Sequence, residues 1–339
     1  MIHQNIELHN IAEIVPVEDG VALQRVPESL RAELNAGARL KVMQPGSAEI
    51  RFSHEPGSTA RVTLAPVPHT NWGDRLTATV FLGDYIHGMV PVGPDRQTIE
   101  VGWTDRMLAC RDELSSMPRA FAPNVVRIMM RGSQVAFCGA EGDGIRPPAP
   151  DELPRFRLLT YGTSITHGAH ASAPHLSYAA QTAMHLGADL LNYGVGGSCH
   201  AEPAFADYFA SRDDWDMASL ALSVNMMGFE PEEFERRVRY MVHTVASAHP
   251  AKPVACITLY RYFGDLKTVE QHSPEKAQQF RRILRDAVRD CPTPNAHIIE
   301  GPDILRNFSG LTTDLIHPSD NGMIEMGRHL AARLKLLLA

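Results

Sequence analysis

The sequence predicts an α/β fold in two parts. A parallel sheet covered by helices on both faces is expected over residues 151–339, preceded by an all-β sandwich or jelly-roll-like unit over 1–150. Three observations carry that expectation. Short β-type runs broken by Gly and Pro fill the first part. A Gly- and Pro-rich stretch, GAEGDGIRPPAPDELP, closes it and reads as a linker with a boundary near residue 150. Beyond it, apolar strand-like runs alternate with amphipathic stripes about five times, the pattern of a three-layer parallel sheet.

In the first part the runs AEIRF, ARVTLAPV, LTATVFLGDY, QTIEVGW, NVVRIMM and QVAFCG come in chain order, separated by turn residues. Strands at such short spacing, with few helical stripes between them, argue a sandwich. In the second part RFRLLTYG is the first strand, SYAAQTAMHLGA a helix, and DLLNYGVGG a strand ending in a glycine-rich turn. DMASLALSVN is the next strand. In PEEFERRVRYMVHTVASAHP, Phe234, Val238, Met241, Val242 and Val245 fall on one helical face. Pro231 and the acids after it suit the first turn of that helix. PVACITLY is a strand, and SPEKAQQFRRILRDAVRD repeats the stripe with Phe280, Ile283, Leu284, Ala287 and Val288. AHIIEG is the last strand and SDNGMIEMGRHLAARLKLLLA the last helix.

Composition narrows the function. The chain has 339 residues, 44% of them hydrophobic and 21% charged, as suits a globular enzyme. Its formal charge of −7 leaves no basic footprint for nucleic acid. No apolar run reaches the ~18 residues that suggest a membrane span. The opening MIHQNIELHN has no basic start and apolar core, so no secretory signal is read. The five cysteines are scattered without a C-x-x-C, which reads as small buried hydrophobes in a reducing cytoplasm.

In parallel α/β sheets, ligands gather beyond the carboxyl ends of the strands. Those ends carry Ser164, the turn around Gly197, Asn225, Tyr260-Arg261 and the loop TTDLIHPSD. Ser164 is a candidate nucleophile, although taken alone it reads more readily as a helix cap. Asp314 and His317 are three residues apart, so one turn can bring carboxylate to imidazole and fix its tautomer. The other ring nitrogen could then take the proton of Ser164, whose hydroxyl is weak until a base activates it. The N–H groups of Ser164 and Gly197 and the amide of Asn225 are candidate oxyanion donors. His167, Met226 and Tyr260 are candidate substrate contacts. His167, His170 and His175 lack the spacing of a metal motif and read as loop histidines, so no metal site is expected. GVGGS lacks the G-x-G-x-x-G of a dinucleotide loop. Position 166 is Thr, so the G-x-S-x-G elbow of the α/β-hydrolases is absent. Asn192 reads as a turn stabiliser. Trp215 and Arg261 could touch substrate or pack structurally. Trp72, Tyr85, His87 and Trp103 could offer aromatic faces to a sugar or fill the sandwich.

Four blocks in order, YGTSIT, NYGVGGS, SVNM and DLIHP, between residues 161 and 318, resemble the SGNH or GDSL hydrolases. Thr163 stands where the commonest form has Asp, and only Asn225 of the third block is kept. The resemblance implies a three-layer, flavodoxin-like SGNH domain with Ser164, His317 and Asp314 as catalytic triad. It also implies Ser164, Gly197 and Asn225 as oxyanion hole, and no metal or organic cofactor. The preceding β-sandwich resembles a subgroup that includes carbohydrate esterases and a polyketide-tailoring acyltransferase. A short-chain acyl ester of a carbohydrate or small polar alcohol is the implied substrate. Hydrolysis and transfer to an alcohol remain alternatives, because both share the first half-reaction.

Overall fold

A computed structural model describes residues 1–67, 76–93 and 95–338. The expected strands of the first part pair into two antiparallel sheets. One holds six strands, in the order Ile2–His3, Ile6–His9, Glu49–Ser53, Val125–Arg131, Leu76–Leu82, Tyr85–Val92. The other holds five, in the order Glu13–Val17, Gly20–Gln24, Val135–Glu141, Thr59–Pro66, Gln97–Gly102. Alternating residues of the two sheets, among them Ile50, Phe52, Val62, Leu64, Val80, Ile128 and Phe137, meet in one apolar core. That alternation follows from successive side chains pointing to opposite faces of a strand.

The second part is a five-stranded parallel sheet in the order Asp189–Gly194, Arg157–Gly162, Met217–Ala221, Val254–Ile257, Ala296–Ile299. Counted along this sheet the order is 2-1-3-4-5, the flavodoxin-like winding. Each strand splits its apolar residues between two cores. Leu159, Tyr161, Leu191, Tyr193, Ala218, Leu220, Val254 and Cys256 face one way, against Phe205, Phe209, Phe234, Val238, Met241, Phe280 and Leu284. Leu158, Leu190, Met217, Ala255 and Ile257 face the other, against Ala180, Ala183, Met323, Met326 and Leu330. The stripe expected on Pro231–Ala248 is wholly buried, and its Phe234 stacks on Phe280 at 4.2 Å between ring centroids.

Two features differ from the sequence reading. The helices Glu28–Glu33 and Ala36–Lys41 interrupt the β-rich part. Their Leu30, Leu34 and Ala38, with Val42 beyond, pack into the core of the parallel sheet rather than into the sandwich. The Gly- and Pro-rich segment also carries a fixed staple. The Glu152 carboxylate accepts hydrogen bonds from Ser53, Asn124, Arg146 and the amide of Ala149. Partial burial pushes the Glu152 carboxyl up, but these donors, Arg146 foremost, hold it down at about 2.

Candidate active site

The parallel sheet changes winding direction between Arg157–Gly162 and Met217–Ala221, and a crevice opens at the carboxyl ends of such neighbours. Ser164 begins the short helix Ser164–His167, directly beyond the first of these strands. Thr163 caps that helix by accepting a hydrogen bond from the amide of Ile165. Asp at this position would cap in the same way, so the Thr keeps the turn. Asn192 ties the next strand to the helix: its side chain donates to Thr166 O at 2.9 Å and accepts from the amide of Gly194 at 2.8 Å. It stabilises the turn, as read. Only glycine fits at 194, where a Cβ would lie 2.3 Å from the amide nitrogen of His167.

Ser164 Oγ lies 2.7 Å from His317 Nε2. His317 Nδ1 lies 2.6 Å from Asp314 Oδ2. The other carboxylate oxygen of Asp314 accepts from the amides of Ile316 and His317 and from the Thr312 hydroxyl, each at 2.9 Å. Partial burial would raise the Asp314 carboxyl, but the His317 amide and imidazole, the Ile316 amide and Thr312 hold it well below the usual carboxylate range. The loop makes this turn because Leu315 adopts a left-handed backbone, with φ of 56°. Its carbonyl is fixed by the amide of Phe263 at 2.9 Å.

Gly197 lines the cavity beside Ser164 with φ of +71°, a conformation that favours glycine. Asn225 also lines it. Its Oδ1 accepts from the amide of Cys199 at 3.2 Å, which leaves the Nδ2 donor for the cavity. This contact supports Asn225 without the usual Gly and Asp neighbours of its block. The cavity has a volume of about 290 Å³ and is also lined by Lys41, Gln44, Arg131, Gly132, His167, Ala169, Gly196 and His317. Four of these, Lys41, Gln44, Arg131 and Gly132, come from the β-rich part.

His167 lies on the cavity wall yet is nearly buried. Burial, and then the charges of Arg25, Lys41 and Arg131, push its imidazole well below the ordinary histidine range. Met226 is a correction: it is fully buried in the core with Met227 and does not line the cavity. Tyr260 is another. It packs edge-on against Tyr178 and borders a separate small cleft with Thr163, Ser223 and Thr258. Trp215 is core, with its indole N–H on Phe209 O. Tyr85 and His87 are exposed on an outer strand, Trp103 packs on the sandwich core, and none of the three lines the cavity. Trp72 lies outside the described residues.

His170, expected to be an ordinary loop histidine, lies against the triad. Its ring stacks on His317, 4.6 Å between centroids and 20° between planes. His170, Asp314 and His317 form the one group of three such donors among the described residues, with ligating atoms within 4.8 Å of one another. Two of these donors are already committed to the chain of hydrogen bonds that ends at Ser164.

A flavodoxin-like α/β sheet with a hydroxyl, an imidazole and a carboxylate in series at its switch point defines a class of acyl-ester-handling enzymes. The profile of the GDSL-like lipase/acylhydrolase family matches residues 156–335, and the chain belongs to that family, whose chemistry is hydrolysis or transfer of acyl esters. The whole architecture recurs in solved structures. The salicylyl-acyltransferase SsfX3 of a tetracycline biosynthetic pathway matches 99% of this chain and 97% of its own, with 17% identity and a TM-score of 0.74. A family two carbohydrate esterase from Cellvibrio japonicus matches 99% and 96%, with 13% identity and a TM-score of 0.63. The acetyl xylan esterase Est2A from the rumen bacterium Butyrivibrio proteoclasticus matches 99% and 96%, with 10% identity and a TM-score of 0.60. No protein of curated function matches by sequence.

Proposed function

We propose that the chain is a serine esterase that removes a short, acetyl-like acyl group from a carbohydrate or small polar alcohol. The observation that carries this reading is the unbroken series Ser164 Oγ to His317 Nε2 at 2.7 Å and His317 Nδ1 to Asp314 Oδ2 at 2.6 Å. Ser164 Oγ attacks the ester carbonyl as its proton passes to His317 Nε2. The carbonyl π electrons move to oxygen, where the amides of Ser164 and Gly197 and the Asn225 side chain face the new charge. The intermediate collapses, and the leaving alkoxide takes the proton from His317. Water then repeats the sequence on the acyl-enzyme, with its proton passing through His317 back to Ser164. Asp314 stabilises the transient imidazolium throughout.

The cavity wall supports the substrate class. Its side chains are polar, charged or very small, and none is a large apolar group that would follow a fatty chain. We assign residues 1–150 to an accessory unit that supplies one wall through Lys41, Gln44, Arg131 and Gly132. Residues 151–339 then carry the chemistry.

Ser164→Ala should keep the fold and lower kcat on 4-nitrophenyl acetate by about 10³-fold or more. Turnover within tenfold of wild type would sink the reading. Across acetyl, butyryl and octanoyl esters, kcat/KM should fall by about 10²-fold, because extra methylenes find no apolar wall. A rising series would point to a lipase. The same acyl-enzyme could pass its acyl group to an alcohol. Adding sugar or polyol acceptors and weighing the products separates that outcome from release of free acid alone.

A further inference from the structure

We propose that His170 is a positioning residue that sets the tilt of the His317 ring. The inference rests on the proposed function, in which His317 is the base that serves Ser164. Two hydrogen bonds at opposite nitrogens hold His317, one to Ser164 and one to Asp314. Two such anchors define an axis through the ring, and neither prevents rotation about it. A flat neighbour against the ring face removes that freedom. His170 is that neighbour, stacked at 4.6 Å with planes 20° apart. Its Nε2 also lies 3.7 Å from Asp314 Oδ2, so it borders the ring and one of its two anchors.

The backbone is built to hold the ring there. His170 is left-handed, with φ of 65°, a conformation that non-glycine residues adopt only where their surroundings fix it. The loop that carries it is clamped at both ends. Gly168 O accepts from Arg131 Nε at 2.7 Å, and the amide of Ala169 donates to Ser164 O at 2.8 Å. On the far side, the amide of Ser172 donates to Asp320 Oδ1 at 2.8 Å. Asp320 lies three residues beyond His317, at the start of the helix Asp320–Lys335. The clamps therefore tie His170 to the nucleophile's helix, to the β-rich part and to the segment that bears the base.

Three variants test this in the full chain. His170→Asn removes the ring but suits a left-handed backbone, as does His170→Gly if the Asn variant does not fold. His170→Phe keeps a flat ring and removes both nitrogens. The readouts are kcat and KM on 4-nitrophenyl acetate, the rate at which a fluorophosphonate labels Ser164, and the melting temperature. The Asn or Gly variant should lose about tenfold in kcat and in labelling rate, with KM within about twofold of wild type. The Phe variant should stay within about threefold of wild type in both rates. Wild-type labelling in the Asn and Gly variants would overturn the proposal, as would a loss confined to KM. It also fails if Phe falls as far as Asn while the fold is kept. A wild-type chain that does not label at all overturns the proposed function itself, which separates the two failures.

Discussion

Asp314 and His317 are close in sequence, but sequence distance alone does not orient a carboxylate. The left-handed Leu315 and the amides of Ile316 and His317 aim Asp314, and Thr312 holds the oxygen that His317 does not use. Asp314→Asn keeps the size of the side chain but can present an N–H to the ring, which favours the wrong tautomer. Its kcat should fall by about 10³- to 10⁴-fold with the melting temperature little changed. A loss under tenfold would remove Asp314 from the role of orienter. Asn225→Ala should cost about 10²-fold in kcat, the usual worth of one oxyanion donor, and little in KM. A loss seen only in KM would make Asn225 a substrate contact. Ser164, Gly197, Asn225, Asp314 and His317 were legible because each lies at a strand end or in a short motif. His170 was not, because its role depends on a ring stack across 147 positions of chain that no local pattern encodes.

The strands and helices of the parallel sheet were readable because period-2 runs and 3.6-period stripes decide burial there directly. The pair of helices at Glu28–Glu33 and Ala36–Lys41 was hidden in β-rich surroundings. A signal was present: Leu30, Leu34, Ala38 and Val42 recur every fourth residue, and all four are buried in the parallel-sheet core. Arg25 locks this excursion in place. It is fully buried, and its guanidinium donates to the carbonyls of Gln44, Lys41, Asn192 and Gly194 at 2.7 to 2.9 Å. Burial pulls the group down to about 10, so it remains charged at neutral pH. Arg25→Met fills similar space but abandons four carbonyls, three of them buried. It should lower the unfolding free energy by about 3 kcal/mol in urea titrations, in the range for breaking a buried charged network. Because Lys41 and Gln44, two of its partners, line the cavity beside Ser164, activity in the folded fraction should fall with it. A change under about 0.5 kcal/mol, within the scatter of surface substitutions, would mean that water replaces the guanidinium.

At the scale of the molecule, the two parts meet through buried charge as well as apolar packing. Arg51 bridges Glu49 and Asp189 at 2.7 Å to each, and Arg127 pairs with Glu49 at 2.6 Å. Asp189 opens a strand of the parallel sheet, while the other three belong to the six-stranded sheet. This joint was not legible, since each of its charges looks like an ordinary strand residue until the sheets are docked. The cavity beside Ser164 adds a further buried group at the meeting of the two parts, the imidazole of His167. Its folded-state proton affinity is depressed by burial and by the cations Arg25, Lys41 and Arg131, whereas in the unfolded chain it titrates near its ordinary ~6.5. The unfolded state therefore binds the extra proton as pH falls. The stability tied to neutral His167 is complete above about 6.5 and is lost below it, at up to about 1.4 kcal/mol per pH unit. Glu7 and Glu152 are held at about 2, so their contribution is lost mainly below their ordinary ~4.5 and leaves pH 6.5 to 5 to the imidazoles. His54 and His175, also lowered by burial, add the same trend in any variant. Across that interval the wild-type unfolding free energy should fall by up to about 1.6 kcal/mol more than that of His167→Gln, which cannot take the proton. Urea midpoints at pH 6.5 and 5.0 for the two proteins measure the difference. Parallel slopes would show that His167 charges freely in the folded chain, and that the cationic wall of the cavity is screened from it.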